Sequence, residues 1–169
     1  MPAILSIIGK SGSGKTTLIE KLIPELKRRG YRIGTIKHTD QDIVLDKKGK
    51  DSWRHRAAGA ESVMLAAPHG VSLVKGWRGY GLDDLEAYFD DVDLIITEGY
   101  KRGDKPKIEI TRQERGTTLL CQPEELIAIM ADYPVDMPVP QFALEDAAGV
   151  VDLLERLYLR EMRKQGESD

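Results

Sequence analysis

The sequence predicts a three-layer α/β domain, a mainly parallel sheet with helices on both faces. Three observations carry that expectation. Ala3-Ile4-Leu5-Ser6-Ile7-Ile8 is an apolar, β-branched run of a buried strand's length, and the glycine-rich Gly9-Lys10-Ser11-Gly12-Ser13-Gly14-Lys15-Thr16 follows it at once. The spacing then turns helical, with Leu18, Leu22 and Leu26 beside Ile19 and Ile23 on one stripe. Further apolar runs alternate with helical stretches down the chain, as in sheets whose crossover helices leave ligands at the carboxyl ends of the strands.

The first helix is expected over residues 16–29; Pro24 should kink it without ending it, because the stripe continues to Leu26. Residues 31–36 read as a second strand, and 37–50 as a polar segment of little periodicity. A short helix over 51–60, capped by Asp51 or Ser52, precedes strands at 62–66 and 71–75 around a Pro68-His69-Gly70 turn. Residues 82–89 read as helix, 92–97 as a strongly apolar buried strand, and Lys107–Thr111 and 126–130 as two more. A closing helix over 143–164 turns Val150, Val151, Leu154, Leu157, Tyr158 and Met162 inward. The expected organisation is a single nucleotide-binding domain over residues 1–165 and a disordered tail at 166–169.

Composition narrows the class. A chain of 169 residues can bury a real core. Its net charge of −3 argues against bulk nucleic-acid affinity. A single cysteine, Cys121, excludes an internal disulfide framework, and three scattered histidines do not make a transition-metal store. No apolar run is long enough to span a bilayer, and the N-terminal run lacks the basic region of a signal peptide, so a cytoplasmic location is expected.

The Gly9 to Thr16 stretch fits the Gly-x-x-x-x-Gly-Lys-Ser/Thr phosphate-binding loop, and its chemistry needs those residues for separate reasons. Gly9, Gly12 and Gly14 let the backbone turn so that the N–H groups of Lys10, Ser11, Ser13 and their neighbours wrap an anion, with the positive end of the next helix facing it. Lys15 brings a point charge to the β- and γ-phosphates, and the Thr16 hydroxyl, with Thr17 beside it, stands where Mg²⁺ is coordinated. The expectation is a P-loop nucleoside triphosphatase domain.

Two carboxylates flank the strand at 92–97, but only Glu98 lies at its carboxyl end, so Glu98 is the expected Mg²⁺ or water ligand and Asp93 a solvated loop residue. Asp40, Asp42 and Asp46 follow the second strand; Asp46 is either a further metal ligand or a loop residue, and the other two are read as solvated. Lys37, His38, Lys47, Lys48, Lys50, Arg54, His55 and Arg56 form one basic group. Lys75, Trp77, Arg78 and Tyr80 form a second, and Tyr100, Lys101, Arg102, Lys105 and Lys107 a third. Such groups suit a large anionic partner with a flat ring, or are ordinary solvated surface. Lys37 and His38, directly after a strand, are the members expected nearest a phosphate. Asp132 follows the strand at 126–130. It either reads the base, since guanine offers N1–H and its 2-amino group to one carboxylate while adenine presents an acceptor at N1, or it starts the turn before Pro134.

Thr35-Ile36-Lys37-His38, Asp46-Lys47-Lys48-Gly49-Lys50-Asp51-Ser52-Trp53 with Ala58-Gly59-Ala60, Glu98-Gly99-Tyr100-Lys101 and Ile127-Ala128-Ile129-Met130-Ala131-Asp132 together resemble the successive blocks of the molybdopterin-guanine dinucleotide biosynthesis protein B family, MobB. The resemblance spans residues 4–134. It implies a dimeric GTP-binding protein with weak Mg²⁺-dependent GTPase activity, assisting the MobA-type guanylyltransferase that joins GMP to molybdopterin. Molybdopterin or its guanine dinucleotide is then a further candidate ligand. One departure stands out: Thr39-Asp40-Gln41-Asp42 replaces a segment that often carries more histidines in the family. The loop also resembles that of the dimerising ATPases and GTPases, with Ser11 in place of the first of their paired glycines. In those ATPases a lysine at the position of Lys10 reaches the partner's nucleotide; here Lys10 reads either so or as a surface lysine. A small-molecule kinase or ATP-dependent ligase and a metal-delivery GTPase are the alternative functions. The first would need an arginine-rich lid, the second ligand clusters that the sequence does not display.

Overall fold

The computed structural model describes residues 2–41, 46–76 and 81–160. In chain order the regular elements are β1 (Ala3–Ile8), α1 (Lys15–Arg28), β2 (Ile33–Lys37), α2 (Asp51–Ala57), β3 (Ser62–Ala67), β4 (Gly70–Lys75), α3 (Leu82–Glu86), β5 (Leu94–Glu98), β6 (Lys107–Thr111), β7 (Leu126–Ala131), β8 (Gln141–Phe142) and α4 (Ala147–Leu154). The chain divides into two compact units, Met1–His38 with Leu82–Asp169 and, between them in sequence, Thr39–Gly81.

The larger unit holds a six-stranded sheet in the order β2-β5-β1-β6-β7-β8, with every pairing parallel. β1 lies between β5 and β6, so the loop that leaves it opens beside the carboxyl ends of both. On one face Leu5, Ile7, Ile108, Ile110, Ala128 and Met130 pack with Leu18, Leu22 and Leu26 of α1 and Val150, Val151 and Leu154 of α4. Period-2 alternation sends Ile8 and Ile129 to the opposite face, where Cys121 and Leu126 complete a smaller cluster with Leu119, Val135, Met137 and Val139 from the connections. Ser6 and Thr97 are a buried polar pair on adjacent strands, satisfied by a 2.9 Å hydrogen bond from the Thr97 hydroxyl to Ser6.

Pro24 sits inside α1, which runs on to Arg28 as expected. Other elements differ from the sequence reading. The 82–89 helix is only Leu82–Glu86. The closing helix begins at Ala147, not 143, because the Asp146 carboxylate caps it by accepting from the Gly149 N–H. Beyond Leu154 the chain makes a π-helical turn, Glu155–Leu159, whose longer repeat moves the buried face onto Leu159 and leaves Leu157 exposed. Met162 lies outside the described residues. β8 escapes sequence reading because it is two residues long.

The smaller unit holds α2 and the antiparallel β3–β4 hairpin, in register from Ser62 opposite Lys75 to Ala67 opposite Gly70. Neither Asp51 nor Ser52 caps α2. The N-cap is Lys50, which supplies no side-chain cap; Asp51 occupies the first turn, and Ser52 is buried and donates to Asp46 at 2.7 Å. Among the described residues no helix is long and apolar enough to cross a membrane.

Candidate functional site

The loop from Gly9 to Thr16 bridges β1 and α1 in the larger unit, and glycine is required at its turns. Gly9 has φ 151°, and a Cβ there would lie 2.4 Å from the Ile110 carbonyl; Gly12 and Gly14 have φ 73° and 104°. Among the described residues no side chain caps the first turn of α1 and no acidic residue stands in it, which leaves its N–H groups available to an anion. Lys15 folds back across the loop and donates to the carbonyls of Gly9 at 3.0 Å and Lys10 at 2.9 Å. Ser13 is fully buried and its hydroxyl has no partner among the described residues. Ser11, Thr16 and Thr17 are exposed.

Glu98 ends β5 beside this loop. The Thr16 hydroxyl donates to its Oε2 at 2.9 Å, and the Lys37 ammonium lies 3.6 Å from its Oε1. β2 and β5 bring Lys37 and Glu98 opposite one another in register, and His38 continues the pairing by donating its N–H to the Glu98 carbonyl at 3.0 Å. The next residues reverse sharply: Gly99 has φ 106°, and Tyr100 takes φ 52°, unusual outside glycine. The His38 and Tyr100 rings meet at 4.9 Å with a tilt of 57°. Thr16, Lys37, His38 and Glu98 are thus brought together at one sheet edge.

Asp93 lies at the opposite end of β5, as expected, but it is not merely solvated. It accepts from the Arg32 N–H at 2.7 Å and pairs with the Arg32 guanidinium at 2.8 Å, fastening the entries of β2 and β5. Lys10 is not a free surface lysine either: its ammonium donates to the carbonyls of Arg115 and Gly116 at 3.1 and 3.0 Å. Two members of the third basic group are also committed within the fold. Lys107 is buried between the Gly103 carbonyl and Glu125, and Lys105 pairs with Asp83 at 2.7 Å. Asp46 belongs to the smaller unit, where it is buried; Oδ1 accepts from Ser52, and Oδ2 has no partner among the described residues. Asp40 is exposed. Asp42, Trp77, Arg78 and Tyr80 lie outside the described residues.

Asp132 follows β7, two strands from β1, and its Oδ1 accepts from the Gln113 N–H at 2.8 Å. Sequence reading missed Arg112 and Arg115. Arg112 donates from Nε to the Ser13 carbonyl at 3.1 Å, and a Cβ on Gly12 would lie 3.1 Å from the Arg115 guanidinium. The strand-end argument that selects Glu98 applies equally to Arg112, one residue past β6.

The donor set suits a phosphate bound with a hard cation. Backbone N–H groups and lysines take the anion, and a hydroxyl beside a carboxylate supplies the oxygens that Mg²⁺ prefers. Among the described residues no three His, Cys, Asp or Glu side chains gather as a metal cluster.

Residues 4–132 match the family described as Molybdopterin guanine dinucleotide synthesis protein B, MobB. The chain is 38% identical over 155 residues to the molybdopterin-guanine dinucleotide biosynthesis adapter protein of Haemophilus influenzae, covering 90% of this chain and 87% of that one. It is 36% identical over 165 residues to the adapter protein of Escherichia coli K12, covering 91% and 92%. The crystal structure of Bacillus subtilis MobB superposes with a TM-score of 0.74 at 26% identity, over 92% of this chain and 98% of that one. The matched residues include the glycine loop, Glu98 and Asp132. With the loop, the parallel sheet and these likenesses over most of both chains in agreement, the chain belongs to the MobB family.

Proposed function

We propose that this protein is a cytoplasmic, GTP-binding adapter in molybdopterin guanine dinucleotide synthesis, a homodimer with weak Mg²⁺-dependent GTPase activity that assists a MobA-type guanylyltransferase. The observation that carries the nucleotide reading is the 2.9 Å contact of Thr16 with Glu98 at the mouth of the glycine loop, two oxygen donors from separate elements meeting where the loop ends. In this reading Gly9, Lys10, Ser11, Gly12, Ser13, Gly14 and Thr17 form the wall of the phosphate site. Lys15 exchanges its carbonyl partners for phosphate oxygens, which as ionised acceptors hold an ammonium more strongly. Thr16 and Glu98 are the residues to hold Mg²⁺, which when bound offsets phosphate charge. Glu98 also orients water, and Lys37 and His38 flank it. Asp46, in the smaller unit, has a buried Oδ2 without a partner among the described residues and is proposed as a metal ligand in its own right. Molybdopterin or its guanine dinucleotide is the further ligand proposed for the basic loops.

The homodimer is supported by the β3–β4 hairpin. Met64 and Val71 share one of its faces and are 59% and 70% exposed, an apolar surface of the kind a second copy covers.

Titration calorimetry with GTP and Mg²⁺ tests the reading. Lys15→Ala is expected to lower GTP affinity at least about tenfold, the loss of one charge-assisted contact, with an unchanged circular dichroism spectrum. Glu98→Gln should retain GTP and lose most Mg²⁺-dependent turnover, because it keeps the size and removes the charge. Undiminished affinity in Lys15→Ala would remove the phosphate-site assignment.

A further inference from the structure

We propose that Arg112 sets the preference for guanine by holding the Asp132 carboxylate and the phosphate loop in one frame. The proposal rests on the GTP reading and on Asp132 as the residue that meets the base. Arg112 follows β6, the strand between β1, which leads into the glycine loop, and β7, which leads to Asp132. Its guanidinium serves both sides. Nε donates to the Ser13 carbonyl at 3.1 Å, and Nη1 lies 4.0 Å from Asp132 Oδ2. The next residue, Gln113, gives its N–H to Asp132 Oδ1 at 2.8 Å, so two successive residues of one turn address the two oxygens of one carboxylate. The same turn is fastened to the loop a second time, where Lys10 donates to the carbonyls of Arg115 and Gly116.

That arrangement has a consequence for selectivity. A nucleotide held by its phosphates presents its base at a fixed reach, so the carboxylate discriminates N1–H and the 2-amino group of guanine only if its distance from the loop is also fixed. The guanidinium sets its donors in a rigid planar fork and so fixes the carbonyl relative to the carboxylate, whereas an ammonium on a flexible stem binds both without fixing the distance between them. A carboxylate has about four lone-pair sites, so an oxygen engaged by Gln113 still accepts from a base. Arg112 is therefore a positioning residue; Asp132 makes the contact.

Affinities for GTP, ATP and inorganic tripolyphosphate, measured by calorimetry on the wild type, Arg112→Ala, Arg112→Lys, Asp132→Asn and the double variant Arg112→Ala with Asp132→Asn, test the proposal. Arg112→Ala is expected to weaken GTP about tenfold more than it weakens ATP or tripolyphosphate, one charge-assisted contact's worth beyond any loosening of the phosphate loop. Arg112→Lys should relax the GTP-to-ATP ratio in the same direction, and the double variant should be no worse than Asp132→Asn alone. Equal loss of all three ligands in Arg112→Ala would reduce Arg112 to a loop support and overturn the proposal, as would additive effects of the two substitutions. A wild-type GTP preference that both Arg112 variants leave intact overturns the role of Arg112 alone. A wild type that binds tripolyphosphate but does not prefer GTP to ATP overturns the base reading with it, and one that binds neither tripolyphosphate nor GTP overturns the nucleotide reading altogether.

Discussion

Burial decides the chemistry of Cys121 more than its position in the sequence does. Its side chain is 6% exposed and packs with Ile8, Leu126 and Ile129, and burial, helped by the nearby Glu125 and Glu109 carboxylates, pushes the thiol up to about 11. The nucleophilic thiolate is scarce at neutral pH and shielded when it forms. Iodoacetamide at pH 8 is therefore expected to leave Cys121 unmodified in the native protein and to alkylate it in guanidinium chloride; mass spectrometry reporting full native alkylation would contradict this packing. Glu109 is buried on β6; it accepts from the N–H groups of Leu120 and Cys121, and burial raises its carboxyl above its usual value although those bonds and Lys10 of the phosphate loop pull it down. At this scale the sequence reveals Lys15, Thr16 and Glu98 because each is named by its place in a motif or at a strand end. It marks Arg112 only by the same strand-end position; the contact with Ser13, 99 positions away in the chain, is set by the fold.

Helices α1 and α4 are joined by more than their apolar stripes. Arg29, just past α1, holds Glu25 at 2.8 Å, Glu155 at 2.9 Å and Asp152 at 2.5 Å, while Tyr31 donates to Glu155 at 3.1 Å. Hydrogen bonds from Arg28 and Arg29 hold the Glu25 carboxyl down at about 2, below its usual value of 4.5. A carboxyl lowered by folding stabilises the fold above its unfolded value, and that contribution disappears as pH falls through the folded one. Glu25→Gln should accordingly lower the melting temperature at pH 7, with the difference from wild type shrinking between about pH 4.5 and pH 2. A difference independent of pH would assign the effect to packing. The apolar stripe that draws α1 to the sheet is legible in the sequence, whereas the end of α4 is not: its π turn obeys neither of the periods on which such a reading depends.

The proposed homodimer is a question for the whole molecule, and the β3–β4 hairpin is the surface put forward for it. β3 and β4 pair Ala66 with Val71 and Met64 with Leu73, which places Met64, Ala66, Val71 and Leu73 on one face of a two-stranded sheet. A hairpin of this size has little core of its own, and covering that face removes apolar area from water. Met64→Lys combined with Val71→Lys is expected to shift sedimenting protein from dimer to monomer while circular dichroism stays unchanged. Dimerisation that survives both lysines would move the interface elsewhere.

The sequence by itself determined the α/β class, the strand that enters the glycine loop, the helix that leaves it and the carboxylate at the end of β5. Those features are written in local periodicity and in residues a few positions apart. Only the tertiary structure decided the strand order, which sets β1 between β5 and β6 and so delivers Glu98 to Thr16 and Arg112 to Ser13. It also decided that Lys10, Asp93, Lys105 and Lys107 have partners within the fold and do not stand as free charges in water. The physical reason is that a charged side chain looks the same in sequence whether water, a carbonyl or a carboxylate surrounds it. Those surroundings are supplied by chain segments that meet only when the sheet is assembled.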